Sequence, residues 1–165
     1  MGKGFIKKVL VAINGRQSSI HAAMYAIMMA KTYNISIKFV YVVDTATIKY
    51  LSMNKLLVIE EKGEFESKLR EGGKHYLNYV SMLASTKGLS CQTELREGGV
   101  FSEILKAAQD FQADMIILGG NTDAKTNHSY KEQVMSKDEN SVLAHANCPV
   151  LVVQKPDIEQ LFKIF

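Results

Sequence analysis

Two short segments of this chain could set polar groups around a ligand. The first is Asn14-Gly15-Arg16, directly after the apolar run Val9-Leu10-Val11-Ala12-Ile13. The second is Gly119-Gly120, after Met115-Ile116-Ile117-Leu118, and it opens a polar stretch that reaches Ser136-Lys137. Glycine at such turns lets backbone N–H groups approach an anion with no Cβ in the way. The expected chemistry is therefore binding, with Asn14, Gly15, Gly119 and Gly120 as candidate contacts. The polar stretch after Gly120 lacks glycines where a phosphate cradle would want them.

Structural roles claim the same residues, and the two are compatible, because a capped helix can still bind an anion. Asn14 at a strand end is suited to an Asx turn with Gly15. Ser136-x-x-Glu139 has the spacing of a capping box at a helix start. Asp138 and Glu139 suit the first turn of that helix, yet they place negative charge where phosphates would lie. A metal ion, or Arg16, Lys125, Lys131 and Lys137, would have to offset it, and each of these bases also reads as solvated surface.

Catalytic constellations are sparse. His21, His75, His128 and His145 stand at no metal-ligand spacing with one another or with a cysteine. There is no Gly-x-Ser-x-Gly elbow and no Walker-type loop. His145 reads as a packing or capping residue. Cys148 precedes Pro149 at the entry to an apolar strand and reads as an inert thiol rather than a nucleophile. The expectation is a protein with no catalytic residue, no resident metal and no required cofactor.

The elements that must position these residues alternate strand and helix. After the first strand, Ser18 or Ser19 can cap a helix to about Tyr33, with Ile20, Ala23, Ile27 and Ala30 on one face. Ile35 to Val43 is an almost continuously apolar, β-branched strand. Asp44 to Lys55 has no clear pattern. A long helix from about Leu56 to Thr86 carries Phe65, Leu69, Tyr76, Val80 and Leu83 as a stripe. Gly72-Gly73 within it predicts a bend or a close packing contact, and Gly88 a C-terminal stop. Ser90 to Arg96 is a more polar strand, suited to a sheet edge. Phe101, Ile104, Leu105, Ala108 and Phe111 form a helical stripe, and Asp114 to Leu118 is the fourth strand. Ser136 to Ala146 is a short helix, and Pro149 to Gln154 is the fifth strand. The tail from 156 to 165 carries Ile158, Leu161, Phe162 and Phe165 at helical spacing. Five strands alternating with four helices predict an α/β fold, an open parallel sheet wound on both faces. Ligands bind such sheets beyond the carboxyl ends of the strands, where strand order reverses.

Composition narrows the class. The chain has 165 residues, 47% hydrophobic and 22% charged, with a formal net charge of +3. This predicts one domain over 1–165 and excludes a nucleic-acid-binding signature. The apolar runs are too short to cross a membrane. The basic start before Val9 lacks the h-region and cleavage site of a signal peptide, and Ile6 stands where a myristoylation signal needs Ser or Thr. Two cysteines without secretory features read as free thiols, which points to the cytoplasm.

Together these pieces resemble the universal stress protein family over nearly the whole chain. The matching segments are Val9 to Gly15, Phe39 to Asp44, Arg96-Glu97-Gly98, Ala113 to Gly119, and Val142 to Val153 with its His-Ala-Asn-Cys-Pro-Val-Leu-Val-Val passage. The resemblance implies a Rossmann-like sheet in the order 3-2-1-4-5, homodimers through the last strand, and a cytoplasmic role in stress tolerance. It also implies an adenine contact by the backbone at Val42, and a family divided into ATP binders and non-binders. Binders resemble Gly, two residues, Gly, nine residues, then Gly-Ser or Gly-Thr. Here Gly119 matches the first glycine, Thr122 replaces the second, and Ser136-Lys137 replaces the final pair after an interval of thirteen residues. Asn14 stands where an Asp is usual. The expectation is a homodimer through Pro149 to Gln154, with its tail docked at that edge, acting on an unidentified protein partner with altered or lost ATP binding. The alternative is an ATP or AMP binder, with a divalent metal, a rewired phosphate loop and slow ATP hydrolysis.

Overall fold

The computed structural model describes residues 4–120 and 135–165. The readings made for Thr122, Lys125, His128 and Lys131 lie outside the described residues. The sheet is built on β1 (Lys8–Ile13), whose side chains alternate between two cores. Val9, Val11 and Ile13 enter one, and Leu10 and Ala12 the other. This two-sided burial explains why the segment reads as an unbroken apolar run. β2 (Ser36–Val43) and β4 (Met115–Gly119) flank β1 in parallel. β3 (Gln92–Glu97) and β5 (Val150–Val153) form the edges, so the order is β3-β2-β1-β4-β5. Strand order reverses between β1 and β4, which opens a crevice beyond their carboxyl ends.

Helix α1 (Gln17–Tyr33) and helix α3 (Ile59–Thr86) cover one face. Helices α4 (Val100–Phe111) and α5 (Lys137–His145) cover the other. The stripe of α4 is regular: Ile104, Ala107, Ala108 and Phe111 are buried at helical spacing. A short helix, α2 (Thr45–Met53), occupies the stretch without a clear pattern, and a last one, α6 (Ile158–Ile164), the tail. The described residues thus hold six helices rather than four.

Two local readings change, and a third, the bend or close contact expected at Gly72-Gly73, is decided for the close contact. Neither Ser18 nor Ser19 caps α1. The helix starts after Arg16, and both serines are buried in its first turn. The Ser19 hydroxyl accepts from the Asn14 N–H at 3.2 Å and donates to the Arg16 carbonyl at 2.8 Å, tying the β1–α1 turn together. Of the stripe expected on α3 only Val80 is fully buried, joined in the C-terminal half by Leu77 and Ala84, while Phe65 is exposed. The reason is length. At 1.5 Å per residue the 28-residue helix is about 42 Å long, whereas the eight residues of β2 span about 26 Å. Its N-terminal half therefore overhangs the ends of the strands. Finally, the Gly72-Gly73 pair does not interrupt the helix. A Cβ on Gly73 would lie 2.6 Å from Tyr41 Cδ1 and 2.7 Å from Leu95 Cδ1, so Gly73 permits close packing of α3 on β2 and β3. The helix ends at Gly88 in a Schellman arrangement, with Gly88 N–H on the Ser85 carbonyl and Leu89 N–H on that of Ala84.

The polar edge strand β3 is held by ion pairs. Arg96 meets Glu94 at 2.7 Å, Glu103 at 2.9 Å and Asp110 at 3.2 Å, and Lys38 meets Glu94 at 2.6 Å. Burial alone would raise the Glu94 pKa, but hydrogen bonds from Lys38 and Arg96 outweigh it and hold the carboxyl below its ordinary value. The tail docks on α1 of its own chain. Ile158 and Phe162 are buried, and the Glu159 carboxylate meets His21 Nε2 at 3.0 Å.

Candidate functional site

The crevice at the β1–β4 reversal is a cavity of about 280 Å³. That is near the lower end of the roughly 300–1,000 Å³ in which small-molecule sites fall. Ala12, Val40 and Leu118 line it from β1, β2 and β4, with Val42 and Val43 at the end of β2. Leu69 from the overhanging half of α3 closes one side, and Val100, Ile104 and Val142 from α4 and α5 another. The polar lining is Asn14, Arg16, Tyr41, Asp44, Ser136, Asp138 and Glu139. An apolar body with a few convergent polar groups is the usual make-up of a small-molecule pocket.

Each polar group has a local reason for its place. The Asn14 carboxamide oxygen accepts the Arg16 N–H at 3.0 Å, the Asx turn its position invites. Arg16 follows as the last residue before α1 and is exposed. Asp44 caps α2, accepting from the Thr47 N–H at 3.0 Å and the Thr47 hydroxyl at 2.6 Å. Ser136 and Glu139 form a complete capping box: Glu139 N–H donates to the Ser136 hydroxyl at 3.2 Å, and Ser136 N–H to the Glu139 carboxylate at 2.9 Å. Among the described residues lining the cavity, three carboxylates face one base.

The glycines of the crevice are committed elsewhere. A Cβ on Gly119 would lie 2.4 Å from both the carbonyl carbon and oxygen of Ser18, so the bare Cα lets β4 abut the first turn of α1. Gly120 donates its N–H to the Val153 carbonyl at 2.9 Å and abuts Gln154 of the β5 edge. Gly15 turns at a φ of 80° beneath Tyr76, whose ring stacks on Tyr41 at 6.2 Å between centroids.

Of the residues singled out in the sequence, Asn14, Arg16, Val42, Gly119 and Ser136 line the cavity. Gly15 and Gly120 adjoin it, each next in sequence to a lining residue. Lys137 lines a separate, shallow depression on α5 with Met135, Asn140 and His145. Thr122 lies outside the described residues. Sequence reasoning missed Asp44, Leu69, Val100 and Ile104. Asp44 had a usable signal, because it ends β2 as Asn14 ends β1. Leu69 and Ile104 had none, since distant helices bring them in.

Among the described residues no group of three or more His, Cys, Asp or Glu is arranged to hold a metal ion. Cys148 is not among the lining residues, and burial, then the charge of Asp114, pushes its thiol pKa up, away from the reactive thiolate.

Residues 6–154 match the model of the Universal stress protein family. The chain is 30% identical over 161 residues to Universal stress protein MJ0531 of Methanocaldococcus jannaschii, covering 96% of this chain and 88% of the relative. Among solved structures, universal stress protein UspA of Lactobacillus plantarum superposes with a TM-score of 0.73 at 19% identity, covering 92% of this chain and all of that one. A universal stress protein family protein of Arabidopsis thaliana, with AMP bound, superposes with a TM-score of 0.61 at 15% identity, covering 90% of this chain and 92% of that one.

Proposed function

The chain belongs to the universal stress protein family, and from that premise we propose that it is a homodimeric stress-response protein acting through a protein partner, with ATP binding altered at its cavity. One observation carries this reading: the helix end that faces the cavity is closed by its own capping box. Ser136 and Glu139 take up each other's N–H groups, and Asp138 and Glu139 bring negative charge to the same turn. An anion entering there meets two carboxylates and a helix start whose Ser136 and Glu139 N–H groups are already engaged. Among the described residues the lining sets one base, Arg16, against three carboxylates, which disfavours a triphosphate. The apolar end of the cavity supports a different statement. Val40, Val42, Leu118 and Ile104 still make a slot suited to a flat ring, and the Arabidopsis relative of this fold holds AMP. The altered site therefore keeps room for an adenosine-type ligand while losing its grip on a phosphate chain.

The dimer uses the β5 edge, from Pro149 to Gln154. Val150, Leu151 and Val152 are only partly buried within the chain, and an apolar edge invites a second copy across a two-fold axis. The direct test of altered ATP binding is to denature the purified protein and analyse released nucleotide by mass spectrometry. The reading predicts no ATP in stoichiometric amount; one ATP per chain would contradict it.

A further inference from the structure

Three features of the cavity act in the same direction, and each concerns charge at one end of a ligand. The first is the N-terminus of α5, where Ser136 N–H already donates to Glu139 at 2.9 Å and Glu139 N–H to Ser136 at 3.2 Å. The box takes up two of the N–H groups at this helix start, those of Ser136 and Glu139, and so leaves fewer donors for an incoming anion. The second is the lining charge. Asp44, Asp138 and Glu139 stand against Arg16 alone among the described residues. The third is Gly119, whose missing Cβ is matched by the Ser18 backbone 2.4 Å away. Its bare face is turned to α1 and is not left open as a phosphate seat. The rest of the wall is apolar, with Val40, Ile104, Leu118 and Val142.

We infer that the cavity discriminates against phosphate, taking a nucleoside in preference to the monophosphate and the triphosphate of the same nucleoside. This rests on the reading that the cavity holds an adenosine-type ligand, and adds the charge that the ligand must lack. The expected size follows from Coulomb's law. Two like charges about 6 Å apart in water-like surroundings weaken an equilibrium about threefold. A triphosphate carries several such charges, and salt screens part of their effect. ATP is thus expected to bind about tenfold or more weakly than adenosine, with AMP between them.

Isothermal titration of the full chain with adenosine, AMP and ATP tests this, first in EDTA and then with Mg²⁺. The variant Asp138→Asn/Glu139→Gln is titrated in parallel. Gln serves as well as Glu in a capping box, so α5 keeps its start, and thermal unfolding of the variant confirms that it folds. The expected order of affinity is adenosine, AMP, ATP in both buffers, with the adenosine-to-ATP ratio shrinking several-fold in the variant. ATP as the tightest ligand in either buffer would overturn the inference while leaving the adenosine reading intact. An unchanged ratio in a folded variant would also overturn it. If none of the three binds, the adenosine reading itself falls and the inference with it.

Discussion

At the scale of single residues, adjacent glycines in α3 make opposite predictions. A Cβ on Gly72 meets nothing within 4 Å, whereas one on Gly73 runs into Tyr41 and Leu95. Gly72→Ala should stabilise the fold by about 0.4–1 kcal/mol, by restricting the unfolded chain. Gly73→Ala should destabilise it by about 1–3 kcal/mol, by overpacking. Urea midpoints of the two variants separate them, and a matching sign would contradict the packing described. Asp114 makes a pH prediction. Its carboxylate accepts the N–H groups of Lys7 at 2.7 Å and Lys8 at 2.9 Å, and these bonds hold its pKa below the ordinary value of 3.8. A depressed folded pKa contributes stability above the unfolded value, and that contribution is lost as pH falls through the folded one. Asp114→Asn should therefore cost stability at pH 7 and progressively less below pH 3.8; a constant difference would reject the linkage. Residue-level legibility followed chain-local chemistry. Asn14 and Ser136 could be read because an Asx turn and a capping box are written within a few positions. The use of Gly119 against Ser18 could not, because the contact joins segments about a hundred residues apart in sequence.

At the scale of elements, α5 is a nine-residue helix whose start depends on its cap. Ser136→Ala should cost about 1 kcal/mol, within the range of roughly 0.5–2 for such losses. Thermal unfolding would measure it, and a change below the error of the measurement would mean the box does not fix this helix end. The sheet was the most legible part of the fold. β1, β2 and β4 are buried on both faces, and unbroken apolar runs announce that. The weaker pattern of β3 also had a physical meaning, since its polar residues answer Lys38 and the α4 carboxylates at the sheet edge. Helix α2 was illegible because just one of its residues, Ile48, is buried, so it has no apolar stripe to reveal its period. Asp44, its cap, was the sole local signal. The stripe of α3 was over-read for the converse reason. Phe65 continues the helical spacing, but the sheet ends before it.

At the scale of the whole molecule, a polar crevice and an apolar sheet edge lie next to each other. The crevice beyond β1 and β4 gathers the carboxylates Asp44, Asp138 and Glu139 around an apolar floor. The neighbouring edge strand β5 carries Val150, Leu151 and Val152, partly buried, through which the proposed dimer would form. The tail does not cover the crevice. It is held on α1 by Ile158, Phe162 and the His21–Glu159 contact. Static light scattering at micromolar concentration should give twice the chain mass of 18.4 kDa, and Val152→Lys on the partner-facing edge should shift it toward monomer. A monomer in the unmodified protein would contradict the proposed assembly. Among the described residues no helix is long and apolar enough to cross a membrane.

The central claim is that this member of the universal stress protein family keeps the crevice of its fold while its phosphate end is closed by Ser136, Asp138 and Glu139. Thermal unfolding followed across an ATP titration tests it most directly, because any ligand that prefers the folded state raises the midpoint with RT ln(1 + [L]/Kd). The account predicts that the midpoint begins to rise at lower concentration with adenosine than with ATP. A midpoint that begins to rise at lower concentration with ATP than with adenosine would contradict it.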